Sequence, residues 1–261
     1  MNIGQSAHTL TKARCGLEVH SRILQTCGHN LRPASAILDF GCGEGRTVYE
    51  YRKLGHACFG VDVANHFSPV LAQLQSEGLA RAHETVFGHL RMEQFRIPFP
   101  DQTFDFIFSD QVFEHVQNYP ESLAEIYRVL KPGGVTLHIF PSRFRPIECH
   151  VYVPFASVLR SYPYLLFWAV LGIRNEFQKG LPAREVARLN HDFLESKTNY
   201  LPARKLEALF QAHFQKVNFA ENAYLANATG RTRMIAPLSR RLPFVSKMYS
   251  CFRMRFILCV K

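Results

Sequence analysis

Ala36-Ile37-Leu38-Asp39-Phe40-Gly41-Cys42-Gly43-Glu44-Gly45 is the stretch that decides the fold. Its apolar start reads as a strand that stops in a glycine turn and passes into a helix over 45–54. Glycines at alternate positions let the backbone turn sharply and come close to a ligand. The helix start that follows offers free N–H groups to that ligand. A second apolar strand, 57–62, ends in Asp62, where a carboxylate is well placed to take the two hydroxyls of a ribose. Together these residues imply a nucleoside-containing cofactor. A dinucleotide would ask for G-x-G-x-x-G. The spacing here is G-x-G-x-G, and Arg46 stands at the third-glycine position. Asp39, just ahead of the turn, would repel a pyrophosphate and attract a cationic amino acid group. Both departures favour a cofactor that brings no phosphate to this turn.

Outward from that stretch the chain alternates. Residues 8–29 place Leu10, Ala13, Leu17 and Leu24 at near-helical spacing, which predicts a leading helix. Strand 36–40 leads to helix 45–54, and strand 57–62 to helix 67–78. A third strand lies near 86–92 and a fourth over 104–109. Helix 121–130 is stopped by Lys131-Pro132-Gly133-Gly134, and strand 135–140 follows. The rhythm breaks over 143–197, which is rich in aromatics and prolines. It resumes with helix 202–214, strand 216–220 and a closing strand 255–260. The pattern predicts an α/β fold: one seven-stranded, mostly parallel sheet with helices on both faces. Two insertions, 143–197 and 224–252, interrupt it. Insertions at strand ends fall on the ligand edge of such a sheet and suit substrate selection. The whole chain, 1–261, reads as a single domain. Its parts are a helical cap at 1–35, a cofactor core at 36–142, a cap insertion at 143–197 and a closing segment at 198–261.

Composition fits a folded water-facing protein: 47% hydrophobic and 20% charged over 261 residues. Seven cysteines without any C-x-x-C argue against a disulfide framework or a structural zinc site, and a reducing, cytoplasmic setting is expected. No basic segment followed by an apolar core marks a signal peptide. The longest apolar stretch, 162–173, is too short to span a bilayer. The net charge of +10 is unevenly placed: residues 222–261 carry eight basic and no acidic side chains. Such a flank suits nucleic acid, anionic lipid or an anionic substrate, and equally a solvated face.

Five segments in order carry a family resemblance. They are 36–45, Gly60-Val61-Asp62-Val63, Ile97-Pro98-Phe99-Pro100-Asp101-Gln102-Thr103-Phe104-Asp105, Val112-Phe113-Glu114-His115-Val116 and Arg128-Val129-Leu130-Lys131-Pro132-Gly133-Gly134. The chain resembles a class I S-adenosylmethionine-dependent methyltransferase of the broad small-molecule, type 11-like kind, with a Rossmann-like sheet. The resemblance covers 36–140 and is silent on 143–252. It implies that Asp39, Phe40, Gly41, Cys42 and Gly43 hold the methionine part, Asp39 through the amino group. It puts Asp62 on the ribose and Val63 beside the adenine. Glu93 falls where the family's adenine-binding acid stands, with Met92 and Gln94 alongside, although Met92-Glu93 replaces the usual Gly-Asp. Asp110 and Gln111 are implied to face the carboxypropyl chain and the methyl group. The product would be S-adenosyl-L-homocysteine.

Methyl transfer is an in-line displacement in which the cofactor brings the electrophile and the protein supplies alignment and a dry site. A base is needed only where the acceptor must lose a proton. His115 follows the fourth strand on the reactive edge. In Arg143-Phe144-Arg145-Pro146-Ile147-Glu148-Cys149-His150, Glu148 and His150 can share a proton, and Arg143 or Arg145 can fix an anionic group. His150, His115 and Glu148 are the catalytic candidates, with His191 and Asp192 behind them. No third ligand stands at a recognisable spacing, so no metal is assigned. Phe155, Tyr162, Tyr164, Phe167 and Trp168 line an apolar acceptor pocket or a lid, or equally form the core of the inserted helices. The leading expectation is methylation of a small apolar or aromatic metabolite. A lipid or quinone enzyme resting on a membrane through 153–173 and 236–256 is the alternative. An RNA methyltransferase is a weaker one, since Ser109-Asp110-Gln111-Val112 stands where an amino-methylating N-P-P-Y motif would be. An inactive scaffold is opposed by the intact Asp39, Gly41, Gly43 and Asp62.

Overall fold

A computed structural model describes residues 16–261 except 34, 229–231 and 233. Leu10, Ala13 and Cys15 lie outside the described residues. The remainder of the leading segment is helical over 16–26, here α1. Then come β1 (Ala36–Phe40), α2 (Arg46–Lys53), β2 (Ala57–Asp62), α3 (Ser68–Ser76), β3 (Phe87–His89), β4 (Phe104–Asp110), α4 (Tyr119–Val129) and β5 (Leu130–Pro141). The second half holds α5 (Tyr162–Val170), α6 (Ala183–Lys197), α7 (Ala203–Gln211), β6 (Lys216–Phe219), α8 (Glu221–Ala226), α9 (Ala236–Arg241), α10 (Pro243–Phe252) and β7 (Met254–Val260).

The seven strands form one sheet in the order β3-β2-β1-β4-β5-β7-β6. β1 pairs in parallel with both β2 and β4, and only the pairings of β7 with β5 and β6 are antiparallel. Side chains alternate between the two faces. Ile37, Phe256 and Leu258 join a core with residues of α1, α2 and α3, while Leu38, Ile257 and Cys259 join one with α4 and α7. Helices on both faces bury the strands, as the apolar sequence of a parallel sheet requires. Strand order reverses between β1 and β4, which places the ligand crevice at their carboxyl ends.

Two boundaries differ from the sequence reading. The third strand is cut to Phe87–His89, because Met92–Gln94 closes into a 3₁₀ turn. Lys131-Pro132-Gly133-Gly134 does not separate α4 from β5: the strand starts directly at Leu130. Phe104 pairs with Leu130 and Phe106 with Val135, so two steps on β4 face five on β5. The surplus residues form a bulge, in which Gly133 takes φ 72°.

Two of the recognised segments clasp each other. Arg128 donates to Phe99 O at 3.0 Å, Ile97 O at 2.8 Å, Asp101 Oδ1 at 2.6 Å and Glu125 Oε2 at 2.7 Å. Lys131 Nζ lies 2.9 Å from both oxygens of Asp105. Their work is to hold the chain entering β4 against α4. The insertion over 143–197 has a core of its own, with Val151, Val153, Ala156, Leu165, Ala169, Val186, Ala187 and Leu194 buried together.

Candidate active site

Gly41, Gly43 and Gly45 all take positive φ, at 85°, 54° and 81°. A side chain is excluded at Gly41 because its Cβ would run into Val112. At Gly43 a Cβ would meet nothing within 4 Å, so the turn opens onto free space there. Four of the loop's own N–H groups are spent internally, which leaves the expectation of free N–H groups at the following helix start untouched. Gly41 and Cys42 both donate to Val61 O, at 2.8 and 3.0 Å. Gly45 donates to Cys42 O at 2.8 Å, and Gly43 to Asp62 Oδ2 at 2.8 Å. The turn is therefore rigid before any ligand arrives, and what it offers is room. Cys42 points its buried side chain toward Gly60, so only its backbone is available.

Asp62 also accepts from Ala64 N through Oδ1 at 2.8 Å. Beside it, a cavity of about 640 Å³ has Phe40, Gly41, Asp62, Val63, Met92 and Gln111 in its wall. The same wall includes His115, Asn118, Ser122, Phe193, Ser196 and Lys197. Glu93 and Gln94 are exposed on the 3₁₀ turn and are not in its wall, which leaves Met92 as the wall residue of that trio. Gln111 holds φ 59°, an uncommon conformation for a residue with a side chain, directly after β4. Its N–H is fixed on Ile139 O at 2.8 Å.

Three carboxylates converge behind the turn. Asp39 is buried, and its carboxyl is held well above the usual range by burial, then by the charges of Asp110 and Asp62. A cationic ligand would relieve that repulsion, while a pyrophosphate would add to it. His20, from α1, reaches Asp110 at 3.1 Å from Oδ1 and 3.0 Å from Oδ2, and its other ring nitrogen lies 3.2 Å from Tyr51 Oη. Sequence reasoning missed His20, which lies 90 positions from its partner.

The catalytic candidates do come together. His115 lies at the cavity wall, with Nδ1 2.6 Å from Lys197 O. Its ring stands edge-on to His150 at 4.8 Å between centroids, and Phe193 packs against both. His150 donates from Nδ1 to Glu148 Oε1 at 2.7 Å. Glu148 also accepts from Tyr200 Oη at 2.6 Å and from the N–H groups of His150 and Val151 at 2.7 and 2.8 Å. Burial works to raise the Glu148 carboxyl, but its donors outweigh that and bring it down to about 2. His150 is likewise opposed by burial, yet its bonds to Cys149 and Glu148 push it up to about 10. Burial lowers His115, and the neighbouring charge of His150 lowers it further. His115 is thus the neutral histidine and His150 the charged one. Glu114, unremarked in the sequence, is a third group here: it is 1% exposed, and burial raises its carboxyl to about 7.

The other candidates are placed elsewhere. His191 and Asp192 lie outside the cavity wall, and Asp192 pairs with Arg188 at 3.1 Å. Arg145 lies 3.8 Å from Met254 Sδ, and Arg143 packs over Phe144. None of Phe155, Tyr162, Tyr164, Phe167 and Trp168 is in the cavity wall. Tyr164 and Trp168 pack on the insertion's core, and Phe155, Tyr162 and Phe167 are exposed. The insertion instead reaches the cavity through Phe193, Ser196 and Lys197 of α6.

Comparison with known proteins agrees with this geometry. The methyltransferase domain family matches residues 38–138. Malonyl-[acyl-carrier protein] O-methyltransferase of Serratia marcescens is 34% identical over 105 residues, which are 40% of this chain and 38% of that protein. Demethylmenaquinone methyltransferase of Symbiobacterium thermophilum is 27% identical over 219 residues, 81% of this chain and 79% of that one. Among solved structures, the [4+2]-cyclase SpnF superposes with a TM-score of 0.51 at 15% identity, covering 95% of this chain and 80% of its own. That likeness speaks for the fold alone. Over residues 38–138, where the glycine turn and the Asp62 strand end lie, the chain is thus similar to S-adenosylmethionine-dependent methyltransferases, and it spans 38% of the length of the Serratia relative.

Proposed function

We propose that the protein transfers a methyl group from S-adenosylmethionine to a small acceptor with an apolar body. The observation that carries this reading is one cavity whose wall holds both the cofactor-type groups and His115 with Phe193. Its volume suits small molecules. When bound, the cofactor supplies a methyl carbon activated by a positive sulfur. The residues present fit it: Gly43 faces open space, Asp62 is pre-aimed by two N–H groups, and three carboxylates await a cation.

In this reading Asp62 takes the ribose hydroxyls, and Val63 and Met92 pack beside the base. Asp39 balances the amino group, and Asp110 with Gln111 borders the reactive end. α1 caps that end, holding Asp110 through His20. The 143–197 insertion excludes water from the other end through α6. Neutral His115 is suited to take a proton from an acceptor hydroxyl or amine, with the His150–Glu148 pair behind it. The test is transfer of labelled methyl from S-adenosylmethionine into a panel of small acceptors, preceded by calorimetry with S-adenosylhomocysteine. Absence of cofactor binding would overturn the reading.

A peripheral lipid contact is also favoured, by one specific observation. α10 is inverted: Ser246 and Ser250 are buried while Phe244, Met248 and Phe252 are exposed at helical spacing, with Lys247 among them. α9 repeats this, with Ser239 inside and Leu238 and Leu242 outside beside Arg241. Apolar outward faces in a segment with no acidic residue suit an anionic bilayer surface. No helix among the described residues is long and apolar enough to cross a membrane. Co-sedimentation with anionic but not neutral vesicles, lost in F244S/M248S, is the expected outcome. Equal recovery with both vesicle types would count against it.

A further inference from the structure

We propose that Glu114, His115 and His150 form a binding site for a divalent transition-metal ion such as zinc. One donor atom from each of the three lies within 4.8 Å of the others, and His115 Nε2 is 4.0 Å from Glu114 Oε1. Zinc bonds of about 2.0–2.2 Å put ligand atoms roughly 3.5 Å apart, so small side-chain adjustments close the set.

Three features separate this cluster from a chance grouping of polar side chains. The first is Glu114. It is 1% exposed, and neither carboxylate oxygen has a hydrogen-bond partner. A buried carboxylate without partners is costly, and a cation is one of the few things that satisfies it. The second is the way both histidines are held. His115 uses Nδ1 on a backbone carbonyl, Lys197 O, and His150 uses Nδ1 on a carboxylate, Glu148. Metal-binding histidines are oriented in this manner, with the far nitrogen left for the ion. The third is that Glu148 is already saturated by its donors, so it serves as the orienting carboxylate and Glu114 as the ligand. Loading requires His150 to give up its Nε2 proton, and the Nδ1–H bond to Glu148 survives that loss.

Two imidazole nitrogens and one carboxylate oxygen suit zinc, cobalt, manganese or iron better than magnesium or calcium. Three protein ligands leave positions open, and His115 lies in the cavity wall. An ion there would occupy His115 Nε2 and so replace that nitrogen as the group that activates an oxygen-bearing acceptor. That role, unlike the site itself, rests on the methyl-transfer reading.

The test is calorimetric titration of the chelator-treated full chain with zinc chloride, with cobalt(II) absorption as a second probe of coordination. One ion per chain is expected. Glu114→Gln and His150→Gln should weaken zinc binding at least 100-fold. Glu148→Gln, which leaves all three ligands in place, should weaken it about 10- to 100-fold. Each variant is checked for folding by its S-adenosylhomocysteine affinity, which should stay at the wild-type value. Wild-type protein that binds the nucleoside but no zinc overturns the site. So does zinc binding that all three variants retain, since other cysteines or histidines would then be the ligands. Zinc binding without nucleoside binding leaves the site standing and defeats only its link to methyl transfer.

Discussion

Gly43 N donates to Asp62 Oδ2 at 2.8 Å, so the glycine turn and the acid at the end of β2 are one unit. The other oxygen, Oδ1, holds Ala64 N at 2.8 Å. Asp62→Ala removes both acceptors, and the turn loses its anchor together with the group proposed for the ribose. Hydrogen bonds to a charged group contribute about 1.5–3 kcal/mol each. S-adenosylhomocysteine binding should weaken at least 100-fold. Asp62→Asn should recover little, because an amide can accept from only one of the two N–H groups. Calorimetry on both variants checks this; an Asp62→Ala affinity within about threefold of wild type would remove Asp62 from the cofactor site.

Gly41→Ala should destabilise the fold by about 2–5 kcal/mol, from left-handed strain and overpacking together. Its φ is 85°, and the new Cβ would collide with the Val112 side chain. The two costs separate in a double-mutant cycle. Adding Val112→Ala should recover the packing part and leave about 1–2 kcal/mol of backbone strain. Urea denaturation of the four proteins measures it. Strict additivity of the two single changes would mean that Val112 is not what excludes a side chain at Gly41.

These two positions also show what was legible in the sequence. The alternation of strand and helix, the turn and Asp62 are local, written within a few residues of one another, and they fix the sheet and the cofactor end. Arg128 and Lys131 were legible as a motif, but their ion pairs give that motif a structural meaning, since they tie 97–105 to α4 and to the start of β5. The acceptor end was only half legible. His150 and Glu148 are two positions apart, whereas Glu114 and Tyr200 reach the same cluster from a loop after β4 and the segment after α6. No local spacing encodes that meeting; the topology makes it. The aromatics of α5 failed as pocket candidates for a related reason. α5 is apolar nearly all round, so periodicity does not say that Phe167 faces outward.

Asp39→Asn should make the ligand-free protein more stable and bind cofactor less well. Its carboxyl is raised by burial and by the Asp110 and Asp62 charges. A folded-state value above the unfolded one means stability is intact at low pH and is lost as pH rises through the folded value. The asparagine lacks that loss, so its advantage should grow as pH rises from the ordinary carboxylate range to the folded value, hold above it, and vanish toward pH 4. A gain of about 0.5–2 kcal/mol at pH 8 is expected, as for other residues kept at a cost to stability. S-adenosylhomocysteine affinity should fall at least 10-fold, because the acid proposed to balance the amino group is gone. Thermal unfolding across pH, with and without the nucleoside, separates the two effects. A variant less stable than wild type at pH 8 would show that Asp39 is held by compensating bonds rather than strained.

His138 sets the acid limit of the fold. It is fully buried in β5, 2.8 Å from Ser109 Oγ through Nδ1, with no partner at Nε2. Burial pushes it down to about 3. The unfolded chain takes up this proton near pH 6.5 and the folded one does not, so the unfolded state binds more protons between those values. Stability from this residue is therefore complete above about pH 6.5 and drains away as pH falls toward 3, by up to about 1.4 kcal/mol per unit. His138→Phe keeps a ring against Phe113 and Phe210, which already pack on this side chain at 4.5 and 5.5 Å. Whatever that change costs at pH 7, the variant should lose about 2–3 kcal/mol less than wild type between pH 6.5 and pH 4.5. Urea midpoints at pH 7.5, 6.5, 5.5 and 4.5 give both slopes. Parallel lines would mean that His138 is protonated in the folded protein, with water or a shifted Ser109 hydroxyl accepting its second proton.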